Sequence, residues 1–298
     1  MVDTPGQRGN TYCGNDEILA LNGCGDTLRG PEGGSDGRHG TRSEPAYEVG
    51  DVPLIIYNPL AIGRTDTVEA RVVFDGTPPP SLRVFGPTGE IPSQVVSREG
   101  ASITVLFLAD VAPTSWSVVH ARPSNSGYVA METSLSVFDR SLENEHLRVT
   151  FDDAGDIASI YDKSLGLELL DSPSRLAFTH ERPRDYPAWN MDWADRQAPP
   201  IDYVAGPATF TITERGRVRV ALTIERIARN SVFTQTYSLC AGDPGRALRC
   251  DAVIDWQSDA CALKATFPTT ISNDLATYNW GLGTIQRPTN SPIQYEVP

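Results

Sequence analysis

The sequence is poor in the groups from which metal and nucleophile sites are usually built. It has only four histidines, which stand far apart and form neither an HExxH nor an HxD pair. Its five cysteines, at positions 13, 24, 240, 250 and 261, are an odd number without CxxC spacing. Spacing therefore specifies neither a zinc site nor a disulfide framework. We expect small buried thiols, with Cys250 on the inward face of a strand.

Positive charge and long apolar runs are also lacking. The chain carries 38 acidic and 25 basic residues and a formal charge of −13, which opposes binding to phosphate backbones and anionic membranes. No run approaches the roughly 20 apolar residues that span a bilayer, and the start MVDTPGQRGN lacks a signal-peptide pattern. We expect no nucleic acid and no membrane partner, and a cytoplasmic location. No glycine-rich phosphate loop stands between a strand and a helix.

Three regions follow from the change of composition along the chain. Residues 1–46 are rich in Gly, Asp, Asn, Ser and Arg and are predicted to be disordered or loosely structured. In 47–122, short runs rich in Val, Ile and Phe alternate with turn residues, which predicts a small β-sandwich. Residues 123–298 begin with a polar linker and form a second all-β region. Apolar residues recur every second position, as in strands, more often than at the spacing of a helix nearly everywhere in the chain.

Three hairpins are predicted in the second region. Leu147, Val149 and Phe151 alternate before the turn residues Asp152–Gly155, which indicates a hairpin with one buried face. A second hairpin turns at Arg215-Gly216, and a third turns within 242–245. After the third turn, alternation predicts a row of inward side chains. This row consists of Leu248, Cys250, Ala252, Ile254 and Trp256.

The stretch ERPRDYPAWNMDW, residues 181–193, concentrates aromatic and charged side chains. Asp185 and Asp192 within it, and Asp195 just after it, could supply the pair of acids that glycoside hydrolysis requires. Their arginine neighbours also fit solvated ion pairs that fix a loop. These two interpretations stay open. We expect no catalytic residue and no metal ligand in this chain.

Aromatic side chains in the same stretch could stack on the apolar face of a sugar. Tyr186, Trp189 and Trp193 are the candidates, and structural packing is the alternative for each of them. Trp256, which lies in a predicted strand, is expected to pack in the core.

Five motifs, in order, resemble the C-terminal β-domains of glycoside hydrolase family 38, the α-mannosidases. They are IIYNPLAIGRTDTVEARV (55–72), LENEHLRVTFDDAGDIASIYDKSLGLELL (142–170), RLAFTHERPRDYPAWNMDW (175–193), VIDWQSDACALKATFP (253–268) and ATYNWGLGTIQRPTN (276–290). The resemblance implies an all-β fold: a small β-sandwich followed by a truncated supersandwich of the galactose-mutarotase type. It implies retaining, zinc-dependent hydrolysis of terminal α-D-mannosyl residues by the complete enzyme.

In that family the zinc ion and both catalytic aspartates belong to other domains, so the resemblance implies that this chain alone lacks catalysis. Zinc is expected in the missing catalytic domain. Mannose-containing oligosaccharides are the expected partners of the complete enzyme, and this chain is expected to associate with a catalytic domain or with itself. Pro187, Asn190 and Asn290 depart from the family's motifs.

The predicted carbohydrate-binding set is Tyr186, Trp189, Asp192, Trp193 and Arg287, although Arg287 of the IQRPT motif also fits a structural tie to a carboxylate. A free-standing carbohydrate-binding module using Tyr186, Trp189 and Trp193 is the alternative to an accessory fragment. A complete small enzyme using Asp185 and Asp192 is the third hypothesis.

Overall fold

The structure is a computed structural model that describes residues 48, 50–125, 133–186 and 189–289, together with the backbone of 10–11 and 19–22. The chain divides into two compact units. The first contains Met1–Ser136, Glu214–Val220 and Leu239–Ala247, and the second contains Val137–Thr213, Ala221–Ser238 and Leu248–Pro298. No helix in the described ranges has the length and apolar character needed to cross a membrane.

Short antiparallel strands build the first unit. They are β1 Asn10–Thr11, β2 Leu19–Asn22, β3 Val52–Asn58, β4 Arg64–Val73, β5 Ser81–Gly86, β6 Gly89–Ile91, β7 Ser93–Glu99, β8 Ser102–Val111 and β9 Ser115–Ser124. One sheet has the order β1-β2-β3-β9-β5-β6, and the other has the order β4-β8-β7. Residues 1–46 were predicted to be disordered or loosely structured. Except for strands β1 and β2, this range lies outside the described residues.

The core of the first unit follows the two-residue period of its strands. Leu54 and Ile56 of β3 are completely buried, as are Val68 and Val72 of β4 and Phe107 of β8. These side chains belong to one cluster fed by both sheets, because alternate residues of each strand point to the same face. The predicted β-sandwich is therefore confirmed.

The second unit is also almost entirely β-structure. Its elements are β10 Ser136–Phe138, β11 Ser141–Glu143, β12 Leu147–Phe151, β13 Ile157–Asp162, β14 Leu167–Glu168, β15 Arg175–His180, helix α1 Trp193–Gln197, β16 Asp202–Tyr203, β17 Thr209–Arg215, β18 Arg219–Ala228, β19 Ser231–Cys240, a 3₁₀ turn Asp243–Arg246, β20 Arg249–Asp255, β21 Cys261–Thr266, β22 Leu275–Asn279 and β23 Thr284–Pro288. The ends of β17, β18 and β19 and the 3₁₀ turn are assigned to the first unit. The strands form sheets in the orders β10-β11-β12-β13-β14, β16-β15-β21, β17-β18-β19-β20 and β22-β23.

All three predicted hairpins are present. Strand β12 pairs antiparallel with β13, and Leu147, Val149 and Phe151 are buried as predicted. The turn is closed by Asp152, whose Oδ1 accepts hydrogen bonds from the backbone N–H groups of Ala154 and Asp156 at 2.9 Å each. Strands β17 and β18 are neighbours, and β19 pairs with β20.

The predicted burial of strand β20 is wrong. Cys250 and Ile254 stand opposite the buried Tyr237 and Phe233 of β19, so their face is the predicted one. Every residue of β20 is nevertheless exposed, because β20 is the last strand of its sheet and no layer of the described residues covers its faces. Cys250 is therefore an exposed cysteine.

Trp256 lies just beyond the end of β20. Its ring contacts those of Phe178 and Phe233 at centroid distances of 5.9 and 6.4 Å, but 38% of the residue remains exposed. It thus lies at the edge of the core. The predicted domain boundary near residue 122 stays a prediction, since 126–132 lie outside the described residues.

Candidate functional site

The loop between β15 and α1 is held by one acidic side chain of its own and by one in the first turn of α1. Asp192 precedes α1, and its Oδ2 accepts a hydrogen bond from the backbone N–H of Arg184 at 3.1 Å. Asp195 in the first turn accepts one from the backbone N–H of Arg182, also at 3.1 Å. The side-chain amide of Asn190 donates to Asp192 Oδ1 at 3.3 Å. Both carboxylates therefore stabilise the path of the loop.

Asp185 is held differently. Its carboxylate lies 3.6 Å from Arg184 Nε, and the two side chains are 67% and 88% exposed. An ion pair this exposed is screened by water and contributes little to stability. The backbone carbonyl of Asp185 accepts a hydrogen bond from the side chain of Asn190 at 3.2 Å. The use of Asp185 and Asp192 as an acid–base pair stays a hypothesis.

Two of the predicted sugar-binding aromatics meet at the surface. The rings of Tyr186 and Trp189 are 6.2 Å apart at 68°, and these residues are 70% and 85% exposed. Tyr186 has a φ of 55°, in the left-handed region that non-glycine residues rarely adopt. The backbone N–H of Trp189 donates to the carbonyl of Tyr186 at 3.1 Å. The loop therefore presents an edge-to-face aromatic pair to solvent.

The remaining predicted residues are not part of this pair. Trp193 is half-buried at the start of α1, where the guanidinium of Arg196 lies 5.8 Å from its ring centre. Arg287 lies on β23 opposite Ala276 of β22. No hydrogen bond or ring contact within the described part of the chain joins Arg287 to the loop.

Zinc does not fit the side chains that the structure places. The described ranges contain no group of three or more His, Cys, Asp or Glu side chains that could hold a metal ion. Because a protein zinc site needs three or four such ligands, no step of a reaction is assigned to zinc in this chain. The expected zinc site in another domain stays a prediction.

A buried charged cluster lies within the second unit, centred on Arg226 of β18. Arg226 and Asp156 are each 2% exposed, and Arg226 Nη1 donates to Asp156 Oδ1 at 2.7 Å. Nη1 also lies within hydrogen-bond distance of the backbone carbonyls of Val204, at 3.0 Å, and Ala154, at 3.2 Å. Nη2 donates to the side-chain oxygen of Gln235. The buried cation is therefore neutralised and hydrogen-bonded through both Nη atoms, which offsets part of its desolvation cost, while its Nε has no partner among the described residues.

Two further contacts extend this charged cluster. Arg175 Nε donates to Asp156 Oδ2 at 2.9 Å, so one carboxylate binds two arginines. The amide of Gln235 donates to the hydroxyl oxygen of Tyr237 at 2.8 Å. Burial raises the pKa of Tyr237 far above its ordinary value, so this hydroxyl stays protonated. The cluster is a continuous polar network that runs from the buried Gln235 and Tyr237 to the partly exposed Arg175.

The turn after β12 contains a glycine, Gly155, that leaves room for the side chain of Arg226. Gly155 has a φ of +81°, and a Cβ at this position would lie 2.8 Å from Ile224 Cγ2 and 3.2 Å from Arg226 Cδ. A side chain at Gly155 would therefore displace either the strand or the arginine. The glycine allows the turn after β12 to pack directly against β18.

An open cleft of about 720 Å³ lies beside this charged cluster and is lined in part by Asp156, Arg175 and Tyr203. The guanidinium of Arg175 stacks 3.8 Å from the ring centre of Tyr203. This stacked arginine connects the cleft to the buried carboxylate. The cleft thus has a polar and aromatic lining, in which Arg175 is held by its hydrogen bond to Asp156 of the charged cluster.

Comparison with known proteins identifies the chain. The family model described as the glycosyl hydrolases family 38 C-terminal domain matches residues 142–298, which is more than half of the chain. This chain belongs to glycosyl hydrolase family 38. The motifs quoted from residues 142–290 are therefore motifs of that family, and the predicted family membership is confirmed.

Two relatives show how this family 38 chain compares with longer proteins. It is 28% identical to alpha-mannosidase 2C1 of Mus musculus over 190 residues, which cover 62% of this chain and 18% of the mouse protein. It is also similar to the crystal structure of an alpha-mannosidase from Enterococcus faecalis V583, with a TM-score of 0.60 and 18% identity. That match covers 85% of this chain and 35% of the bacterial chain. The structural match supports the all-β fold.

Sequence reasoning about this family 38 chain missed the buried charged cluster. Arg226 follows Leu222 and Ile224 at the inward period of β18, and Gln235 lies between inward residues of β19. A charged or amide residue at an inward position is a signal, because such groups are buried only with partners. The partner Asp156 carries no such signal, since it lies in a turn.

Proposed function

We propose that this chain is the accessory β-region of an α-mannosidase and that it is inactive by itself. The complete enzyme would hydrolyse terminal α-D-mannosyl residues, with zinc and the catalytic acids supplied by another domain. The observation that carries the proposal is the family match over residues 142–298. The alpha-mannosidase names of both relatives support the substrate class.

The geometry of the loop agrees with an accessory role. Two of the carboxylates that could have acted as acids, Asp192 and Asp195, accept hydrogen bonds from the backbone of the loop between β15 and α1. Both carboxylates are thus engaged in fixing the path of the loop, which supports a structural role for them.

The test is an assay of the purified chain with 4-nitrophenyl α-D-mannoside, with and without added zinc. We expect no release of nitrophenol above that of buffer in either condition. Zinc-dependent turnover by the chain alone would contradict the accessory role.

A sugar-binding function is the second candidate, and the exposed pair Tyr186 and Trp189 favours it. Two aromatic rings at 70% and 85% exposure offer apolar faces on which a pyranose could stack. Asp192 and the half-buried Trp193 at the start of α1 lie next to this pair along the chain. Arg287 belongs to the same predicted binding set, although it lies on another hairpin.

Titration calorimetry with mannose and mannobiose tests this candidate. Binding through the aromatic pair predicts heat that is lost in Trp189→Ala and kept in Trp116→Ala, a control at a tryptophan of the first unit that is 75% exposed. Heat that persists in Trp189→Ala, or no heat with the unmodified chain, argues against a binding module.

A further inference from the structure

The cleft beside the charged cluster contains an arginine that is held on two sides. Arg175 Nε donates to Asp156 Oδ2 at 2.9 Å, and the guanidinium stacks 3.8 Å from the ring centre of Tyr203. Asp156 is itself 2% exposed and is bound by Arg226 at 2.7 Å. The orientation of Arg175 is therefore fixed before a ligand arrives, which lowers the entropic cost of binding one.

The terminal nitrogens of Arg175 are available to a ligand. Within the part of the chain that the structure describes, the guanidinium donates only through Nε, and neither Nη nitrogen has a hydrogen-bond partner. The side chain is 34% exposed and lines the cleft. Parallel N–H groups on a planar guanidinium match the two oxygens of a carboxylate. This edge of Arg175 is therefore suited to binding an oxyanion.

The charges around this arginine do not balance. Arg175 and Arg226 share the single carboxylate of Asp156, so two positive charges and one negative charge leave a net charge of +1. The other side chains of the charged cluster, an amide and a protonated phenol, are neutral. Asp152 also lines the cleft but forms no ion pair with either arginine among the described residues. The excess charge favours a singly charged anion, and the carboxylate of Asp152 disfavours a doubly charged one.

The rest of the cleft offers hydroxyl-binding groups and an apolar wall. Asp152 Oδ1 accepts two backbone hydrogen bonds, whereas its Oδ2 accepts none from the described residues. Ser172 contributes a hydroxyl group, and Pro173, Phe267 and Pro268 contribute apolar surface. The volume of about 720 Å³ lies within the range of about 300–1,000 Å³ that is usual for small-molecule sites. A small molecule with both a carboxylate and hydroxyl groups matches this lining.

We propose that the cleft binds a small hydroxycarboxylate, such as a sugar acid. Its carboxylate accepts hydrogen bonds from the two Nη groups of Arg175, and a hydroxyl group donates to Asp152 Oδ2. Tyr203 and Asp156 are positioning residues, because they hold the guanidinium and leave its outer edge to the ligand. The ligand is an anion and the residues are not those of the aromatic pair. The inference is therefore independent of both proposed functions.

Titration calorimetry on the full chain tests the class of ligand. The probes are D-glucuronate and D-glucose, which share a pyranose ring and differ only in the carboxylate. Glucose should bind about tenfold or more weakly than glucuronate, because it cannot form the charge-assisted hydrogen bonds to Arg175. Inorganic phosphate at alkaline pH, where it is doubly charged, should also bind more weakly than glucuronate, because Asp152 repels the second charge.

Three variants test the position of the site. Arg175→Gln should abolish the binding of glucuronate. Arg175→Lys keeps the positive charge beside Asp156 but lacks the planar fork, and should weaken binding about tenfold. Arg148→Gln is the matched control, because Arg148 also stacks on a tyrosine, 5.1 Å from the ring centre of Tyr161, but does not line the cleft. Circular dichroism shows whether each variant keeps its β-structure, and Arg175→Lys decides if Arg175→Gln does not fold.

Glucuronate binding that is reduced in the folded Arg175 variants and kept in Arg148→Gln supports the site. The site is overturned if the folded chain does not bind glucuronate, if glucose or phosphate binds as tightly, or if both Arg175 variants bind glucuronate unchanged. Trp189→Ala should keep the binding of glucuronate, since this ligand does not use the aromatic pair. Loss of glucuronate binding in that variant would also overturn the assignment to the cleft.

Discussion

In the first unit the main core cluster contains apolar side chains alone, and its ion pairs lie outside that cluster. Even the buried Asp51 pairs with Arg122, whose side chain is 17% exposed. Arg83 and Glu90, for example, keep side chains that are 26% and 15% exposed. The second unit instead buries Arg226 and Asp156 to 2% exposure inside its sheet framework. The two β-units of this chain are therefore stabilised by different interactions. A buried ion pair is sensitive to the loss of one partner, whereas a partly exposed pair is screened by water.

The sharpest test of this contrast is the removal of Asp156. Asp156→Ala leaves the buried cation of Arg226 without its carboxylate and should lower the free energy of unfolding by about 3–5 kcal/mol. Urea unfolding followed by tryptophan fluorescence gives this value. Asp153→Ala is the matched control, because this nearby aspartate is 89% exposed and pairs with the half-exposed Arg140. Asp153→Ala should lower the free energy of unfolding by less than about 1 kcal/mol. Equal losses at the two positions would show that the buried ion pair is no more sensitive than the exposed one.

A second test concerns a close approach in the first unit. A Cβ at Gly216 would lie 1.8 Å from the side-chain oxygen of Gln94, which accepts hydrogen bonds from the N–H groups of Val218 and Arg219 at 2.9 Å. Gly216→Ala should therefore displace this amide and cost about 1–3 kcal/mol, the usual range for overpacking. The measurement is again urea unfolding.

A double-mutant cycle isolates this clash. In a Gln94→Ala background the same Gly216→Ala change should cost much less, because the side chain that it meets is gone. Fully additive effects of the two changes would show that the amide of Gln94 does not cause the cost.

The smallest effect is expected at a partly exposed ion pair of the first unit. Hydrogen bonds from Arg83 hold the pKa of Glu90 below its usual range. The ionised form is thus favoured in the folded state, and the stability that it contributes is complete above the ordinary glutamate pKa of about 4.3. This contribution should be lost as the pH falls below that value. In unfolding experiments between pH 6 and 3, Glu90→Gln should flatten the pH dependence slightly, and an unchanged profile would count against this pair.

Local patterns in the sequence were sufficient for much of the fold. The hairpin of β12 and β13 was predictable because Leu147, Val149 and Phe151 alternate and turn residues follow them directly. Period and turn chemistry are properties of neighbouring residues. The exposure of β20 was not predictable in this way, since alternation identifies a face of a strand but not whether another layer covers it.

The charged cluster depends on strand pairings that are distant in sequence. Arg226 and Asp156 are 70 residues apart, and their contact follows from the packing of the turn after β12 against β18. No pattern of neighbouring residues in the sequence predicts the contact between Arg226 and Asp156. In the candidate loop, the aromatic composition predicted a surface feature, and the structure pairs Tyr186 with Trp189. Trp193 is separate from this pair because it is the first residue of α1. The sequence did not predict where that helix begins.

We propose that this family 38 region is a β-scaffold whose catalytic partner lies elsewhere. The most direct measurement compares hydrolysis of 4-nitrophenyl α-D-mannoside, in the presence of zinc, by the unmodified chain and by a variant carrying Asp185→Asn and Asp192→Asn. Both proteins should release nitrophenol at the rate of buffer alone. Turnover by the unmodified chain that disappears in the double variant would show that this chain is itself catalytic.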